Sequence, residues 1–366
     1  MDTPFPFGLP LPTAFYLTVY LVTLAIHVVF MNYVLAGTGY LAVAYLRSGG
    51  QKLGESAKVV KEWTPFMLSG AISAGVAPLL FVQILYKQGY YTANLLLFNR
   101  WMAILPVLII GFYALYLLKS GWLYRRATWV ASVVALLPIL SVAFTGYSWT
   151  ENHLLSVRDP AFWGNFYSTR AQIYTEPQLL PRLLVWASGS IPTFALILAW
   201  QHWYRGDGQP TQLARLAGSG MFLAATAAAG YYLVTDERTR MAFVSPLAIP
   251  YFVAACLGLM IQAIGWAWIG YIRRFSVLNL LTTTLGLLLT ISGMTVCRES
   301  VRIAALGPER FKALYPIHAE AFSKSGFFIF LGFFVLNAAL SGYVFWLVRH
   351  RAQPPGTVDT NSVPTE

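Results

Sequence analysis

Apolar stretches with little or no charge recur along the whole chain, at 13–46, 64–86, 101–118, 128–147, 183–204, 216–234, 248–272, 277–297 and 325–348. A helix crosses a hydrocarbon core of about 30 Å with roughly 17 to 25 residues, so each stretch is long enough to span. An open sheet is excluded, because lipid offers nothing to hydrogen-bond its edges. The pattern predicts an all-α polytopic membrane helix bundle of about nine transmembrane helices. It forms a single domain over 1–348, followed by a polar tail over 349–366.

Composition agrees. The chain is 57% hydrophobic and only 11% charged, against about 25% charged in soluble domains. That excludes a globular enzyme with one anchor. The opening MDTPFPFGLPLP lacks a basic leader region and a small-residue cleavage site, so the first apolar run is expected to remain as a helix. The Pro-containing tail RAQPPGTVDTNSVPTE is expected to be disordered.

The formal charge of +11 does not point to nucleic acid, because the basic residues are scattered among short loops and helix ends. With the amino terminus outside, the inner segments carry 13 Lys and Arg against 5 Asp and Glu, and the longer outer segments carry 12 against 9. Basic density therefore favours amino terminus out and carboxyl terminus in. Segments 148–182 and 298–324 become the two large outer loops. Cys256 and Cys297 form no CxxC pair, no zinc spacing and no CxxCH site, so covalent heme c is not expected and both are assigned to packing.

His27 is the polar outlier of the first run, which holds no Asp, Glu, Lys or Arg over 34 residues. An imidazole in lipid needs a hydrogen-bond partner, a polar cavity or a metal. On a helix its neighbours are Thr23, Leu24, Phe30 and Met31. It is either a ligand for heme iron or a histidine bonded to an adjacent helix. Gln83 lies one turn beyond Pro78, which frees a carbonyl, so the two mark either a polar pocket or an ordinary kink. In CRESVR, Arg298 and Arg302 share a helix face with Glu299 beside it. Two guanidiniums so placed suit heme propionates, an acidic partner or a salt-bridge network. His202 and His350 read as interfacial, and His153 and His318 as loop residues. Small residues at Ser69–Gly75, and at Gly218–Gly220 with Ala224–Gly230, read as helix-packing faces.

The order of these features resembles the large, quinol-oxidising subunit of cytochrome bd oxidases. HVVFMNYVLAGTGYLAVAYL is similar to that family's heme-ligating helix, which places His27 on the high-spin heme b ligand. WTPFMLSGAISAGVAPLLFVQ resembles its second helix, with Trp63, Gly75, Val76 and Ala77 in matching order and Gln83 where the family has a functional glutamate. LLVWASGSIPTFALILAWQHWYRG and LARLAGSGMFLAATAAAG resemble the fifth and sixth helices. TVCRESVR resembles the eighth, matching on Arg298. The resemblance spans residues 13–300 and implies a bacterial inner (cytoplasmic) membrane.

The sequence also departs from that family. Leu184 stands where the family has its low-spin heme histidine, the third run lacks the acidic residues of an oxygen-reducing site, and the quinol loop shrinks to TDERTRMAFVSPL. A complete oxidase is therefore not expected. Three functions remain. One is an electron-transfer subunit with a single heme b on His27, linking the quinone pool to an outer-face redox partner such as a c-type cytochrome. The others are a heme-free membrane anchor for a redox complex, and a small-molecule transporter. The expected cofactor site comprises His27, Met31, Gln83, Arg298 and Arg302, with His27 on the metal.

Overall fold

A computed structural model describes residues 5–48, 52–125 and 127–351. Among these residues there is no strand, and helix follows helix with short joints. Contacts divide the chain into two compact units, Met1–Tyr315 and Pro316–Glu366, so the expected 1–348 domain is partitioned at Tyr315.

Eight helices of the first unit are long and apolar enough to cross a membrane. They are α1 (Leu11–Ser48), α2 (Glu55–Leu85), α4 (Phe98–Lys119), α5 (Thr128–Ser156), α7 (Leu179–Arg205), α8 (Pro210–Val234), α10 (Ile249–Ile272) and α11 (Val277–Leu306). Between them lie the shorter α3 (Lys87–Leu96), α6 (Pro160–Ser168), α9 (Glu237–Phe243) and α12 (Pro308–Lys312). Helix α13 (Tyr315–Ala321) leads into the second unit. There the ninth apolar run is helical as α14 (Phe327–Arg351). Residues 349–351 of the expected tail complete α14, and 352–366 lie outside the described residues. The molecule is an all-α integral membrane protein.

At the amino-terminal end of the bundle two helices run well beyond their apolar stretches, which shortens the expected outer loops. Helix α5 continues to Ser156 and α11 to Leu306. The continuation is polar in sequence, yet Ser148, Thr150, Glu151, Asn152, Glu299, Ser300 and Arg302 are buried. A polar residue can prolong a membrane helix where protein supplies its partner. The Asn152 amide donates to Asn94 Oδ1 at 2.6 Å, and Glu151 meets Arg100 at 3.3 Å. The segment after α2, expected as a loop, is itself helical as α3.

The helices close on one another through small residues. A Cβ at Gly70 would lie 2.7 Å from the Phe30 ring, so α1 and α2 touch there. A close seam joins α10 and α11: a Cβ at Gly258 would fall 2.6 Å from the Gly286 carbonyl oxygen, and one at Gly286 would fall 2.9 Å from that of Gly258. Gly220 packs α8 on Ile191 and Pro192, but nothing approaches Gly218 or Gly230 within 4 Å. The small-residue face of α8 is therefore only partly used within the described residues. Interhelical hydrogen bonds add direction to this packing. Asn32 donates to Thr193 at 3.0 Å, Gln262 to Thr290 at 2.8 Å and Trp200 to Thr284 at 3.0 Å.

The end of the bundle opposite the amino terminus is clasped by His202. This residue, expected near a helix end, is fully buried within the protein. Its Nδ1 pairs with Asp207 Oδ1 at 2.5 Å and its Nε2 with Ser56 Oγ at 2.9 Å, tying the start of α2 to the α7–α8 turn. The connectivity is that of a hydrolase triad, but an imidazole with 0% exposure cannot meet a substrate. Gly208 adopts φ 107° and lies over the ring, where a Cβ would come within 2.6 Å.

The hydrogen bond from His202 holds the Asp207 carboxyl below its ordinary range, with further help from Arg205. A depressed carboxylate contributes stability that is complete above its unfolded pKa of about 3.9 and is lost as pH falls through the lower folded value. Thermal unfolding in detergent should therefore show a wild-type advantage over Asp207→Asn at neutral pH that shrinks below about pH 4. An advantage unchanged between neutral pH and pH 3 would contradict the clasp.

Candidate functional site

Helix α1 places His27 on its α2-facing side, and two residues of α2 define its surroundings. The ring nitrogen Nδ1 is 2.9 Å from the Ala71 carbonyl oxygen. A carbonyl oxygen only accepts, so Nδ1 carries the proton and Nε2 keeps its lone pair. A Cβ at Gly75 would lie 2.9 Å from the ring, so only glycine lets the imidazole settle on α2 at this height. His27 and Met31 are both half-buried. A histidine held by a carbonyl with Nε2 unprotonated is the arrangement that metal-bound imidazoles use. Among the described residues no three His, Cys, Asp or Glu side chains gather to hold a metal ion, so His27 is a single-ligand candidate, suited to heme iron.

The arginines lie nearer the amino-terminal end of the bundle. Arg298 Nη2 donates to the Tyr20 hydroxyl at 2.8 Å, joining α11 to α1, and its guanidinium lies 5.9 Å from the Trp186 ring centroid. Tyr20 precedes His27 by seven residues, about two turns or 10 Å along α1. Arg298 is thus held over the same helix that carries the imidazole. Arg302 turns to other partners. Its Nη2 donates to Ser156 Oγ of α5 at 3.3 Å, and its guanidinium carbon stands 3.6 Å from the Tyr86 ring centroid.

Glu299 sits between these arginines with 0% side-chain exposure. It accepts a hydrogen bond from the Tyr86 hydroxyl, while its other oxygen is 4.0 Å from Arg298 Nη2. Arg298 Nε and Arg302 Nε and Nη1 are buried without a hydrogen-bond partner. Guanidinium nitrogens left this way are suited to the oxygens of an anionic group.

The five expected cofactor residues are therefore divided. His27 lies against Ala71 and Gly75, with Met31 one turn further along α1. Arg298 and Arg302 flank Glu299 near the amino-terminal end. Gln83 belongs to neither group, since its Oε1 accepts from the Tyr91 hydroxyl of α3 at 3.1 Å. Leu184, at the position of the resemblance's low-spin ligand, faces outward.

Several residues escaped the sequence reading. Tyr20 and Tyr86 are ordinary aromatics in apolar runs, and nothing in their spacing marks them as partners of Arg298 and Glu299. Arg182 and Glu151 were counted as loop charges and are buried. Their signal was available: each lies within a turn or two of an apolar run on a helical register, in TENHLL and LLPRLL. No protein-family model and no curated protein matches the chain, so its function is read from these residues alone.

Removing one member of a buried ion pair leaves the other uncompensated, at a cost of about 3–5 kcal/mol. Glu299→Ala should lose stability of that order in detergent thermal unfolding. Tyr86→Phe, which deletes one hydrogen bond to a charged group, should lose about 1–3 kcal/mol. Equal losses in the two variants would mean that Glu299 acts only through Tyr86 and not as counter-charge.

Proposed function

We propose that this chain is a membrane electron-transfer subunit that holds one b-type heme on His27 and links the quinone pool to a redox partner at the amino-terminal face. The observation that carries the reading is the Nδ1–H bond from His27 to the Ala71 carbonyl, which orients the ring and leaves Nε2 for iron. Gly75 gives the ring room, and Arg298, with an unpartnered Nε about two turns along α1, is the residue placed to meet a propionate. Such a heme supplies one-electron redox chemistry. The chain contributes the axial nitrogen, the fixed tautomer and a positive charge that favours the reduced iron. With no CxxCH in the sequence, a covalent heme c would belong to a partner such as a c-type cytochrome. Gln83, an amide bonded to Tyr91, cannot serve as a titrating proton donor, which argues against a complete oxidase.

The same Ala71 bond favours a second reading, because it already satisfies the imidazole's one donor. A heme-free anchor for a redox complex needs nothing more from His27. A reduced-minus-oxidised visible spectrum with a pyridine hemochrome assay separates the two. The wild type should show one b-type heme per chain, and His27→Ala should lose most of it while still inserting, since Ala suits an apolar helix. A heme-free wild type would favour the anchor, and an unchanged spectrum in the variant would remove His27 as ligand.

We read the amino-terminal face as the outer one. The buried Arg182 and Arg302 are not loop charges, and setting them aside deepens the basic bias of the opposite face. Asn165 is exposed on α6 of the same face as the amino terminus. In a background without Cys256 and Cys297, Asn165→Cys should react with an impermeant maleimide on intact cells. Reaction only after permeabilisation would invert the orientation.

A further inference from the structure

Gln83 is the polar residue of α2 that the heme reading leaves idle. It stands third from the end of the helix, on the face that Ile72 and Val76 share eleven and seven residues earlier, with Leu80 beside them. Those three apolar side chains are exposed on the outside of the bundle. A track of bare apolar surface therefore runs along α2 and ends in an amide. Gln83 itself is half-buried, and its Oε1 accepts from the hydroxyl of Tyr91, a residue of α3 that is 46% exposed, at 3.1 Å. The amide nitrogen carries two hydrogens. The Tyr90 hydroxyl, within hydrogen-bonding reach of both Gln83 and Asn94, takes at most one of them.

Aromatic rings back this end of the track. The Tyr90 ring meets Trp101 of α4 edge-on at 5.8 Å, and Trp101 meets Trp149 of α5 at 4.9 Å. The polar groups are amide and phenol, without formal charge, and Arg100 is engaged by Glu151 at 3.3 Å. Such a place suits a neutral ring that bears oxygens and trails a long apolar tail, rather than a phosphate. A membrane quinone is that kind of molecule. We propose that Gln83 and Tyr91 bind the head of a quinone that reaches them sideways from the bilayer, its isoprenoid tail lying along Ile72, Val76 and Leu80. The Gln83 amide nitrogen donates to a quinone oxygen. The Tyr91 oxygen, whose proton is committed to Gln83, accepts from a quinol hydroxyl, so the pair takes either redox form. The choice of a quinone among neutral amphiphiles rests on the electron-transfer reading. Gly75, against which the His27 ring lies, precedes Gln83 by eight residues, about 12 Å along the same helix.

The test uses the full chain purified in mild detergent. Azido-benzoquinone and azido-naphthoquinone photoprobes with short isoprenoid tails are applied in parallel to the wild type. At least one should label the peptide that spans 80–91, and an excess of the matching unmodified quinone should suppress the label. An excess of phosphatidylglycerol should not. By calorimetric titration, that quinone should bind roughly tenfold more weakly to Gln83→Leu. Tyr91→Phe should weaken the quinol more than the quinone. Photolabelling needs no variant, so a variant that fails to fold leaves the proposal testable. Labelling by neither probe, labelling confined to other peptides, displacement by phosphatidylglycerol, or unchanged affinity in a folded Gln83→Leu protein would overturn it. Hemochrome content is read on the same samples. A heme-free wild type that takes the label at 80–91 would sink the electron-transfer reading and leave the quinone site standing, and a heme-bearing wild type without label would do the reverse.

Discussion

Glu299 is the carboxylate that ties α11 into the amino-terminal end of the bundle. Hydrocarbon and packed protein offer a guanidinium no counter-charge, so Arg298 is tolerable on α11 because the Glu299 carboxylate of the same helix lies 4.0 Å away, while Arg302 rests on Ser156 and the Tyr86 ring. The Glu299 oxygens in turn place Tyr86 at the α2–α3 joint, and Arg298 reaches Tyr20 on α1. Three helices far apart in sequence are thereby set in register by charge, and the His27 surface between α1 and α2 is held from that end. At the other end His202 does a comparable job through hydrogen bonds to Ser56 and to the Asp207 carboxylate. Between these two fastenings the helices are spaced by glycine.

The bundle itself was legible because lipid allows few solutions. A long uncharged run must be a helix, and each of the eight long spans of the first unit contains nearly all of its apolar run. What was not legible were the ends. A hydropathy reading stops where polar residues begin, at Ser148 and at Arg298, whereas the helix stops where backbone partners run out, at Ser156 and Leu306. The difference is tertiary, since Asn94 and Arg100 supply what water would otherwise have provided. The α10–α11 seam was missed for a related reason. Gly258, Gly286 and Gly293 are isolated glycines in leucine-rich runs, and their meaning appears only once the two helices face each other.

The site was legible in part. His27 stood out by chemistry alone, and its bond to Ala71 satisfies both readings of a histidine in a span, ligand and interhelical fastener. Arg298 and Arg302 were visible as a pair four residues apart, but spacing could not reveal that one turns to α1 and the other to α5. Gln83 was visible as an amide beyond Pro78, but nothing in the spacing named the helix that would partner it. Its partner is Tyr91 of α3. Arg182 went unnoticed because an arginine at the edge of an apolar run ordinarily extends to the interface, and burial is decided by neighbours on other helices.

The connection from α2 to α4 at the amino-terminal end is itself helical. Helices α2, α3 and α4 are separated by single residues, Tyr86 and Leu97, both buried. A partner docking on this connection would meet a surface with little slack to remove. Ordering a floppy loop on association subtracts from the free energy of binding, and here that loss has been taken already in folding. Encounter should then approach rigid-body docking, with relief and charge at this end selecting the partner before any rearrangement begins.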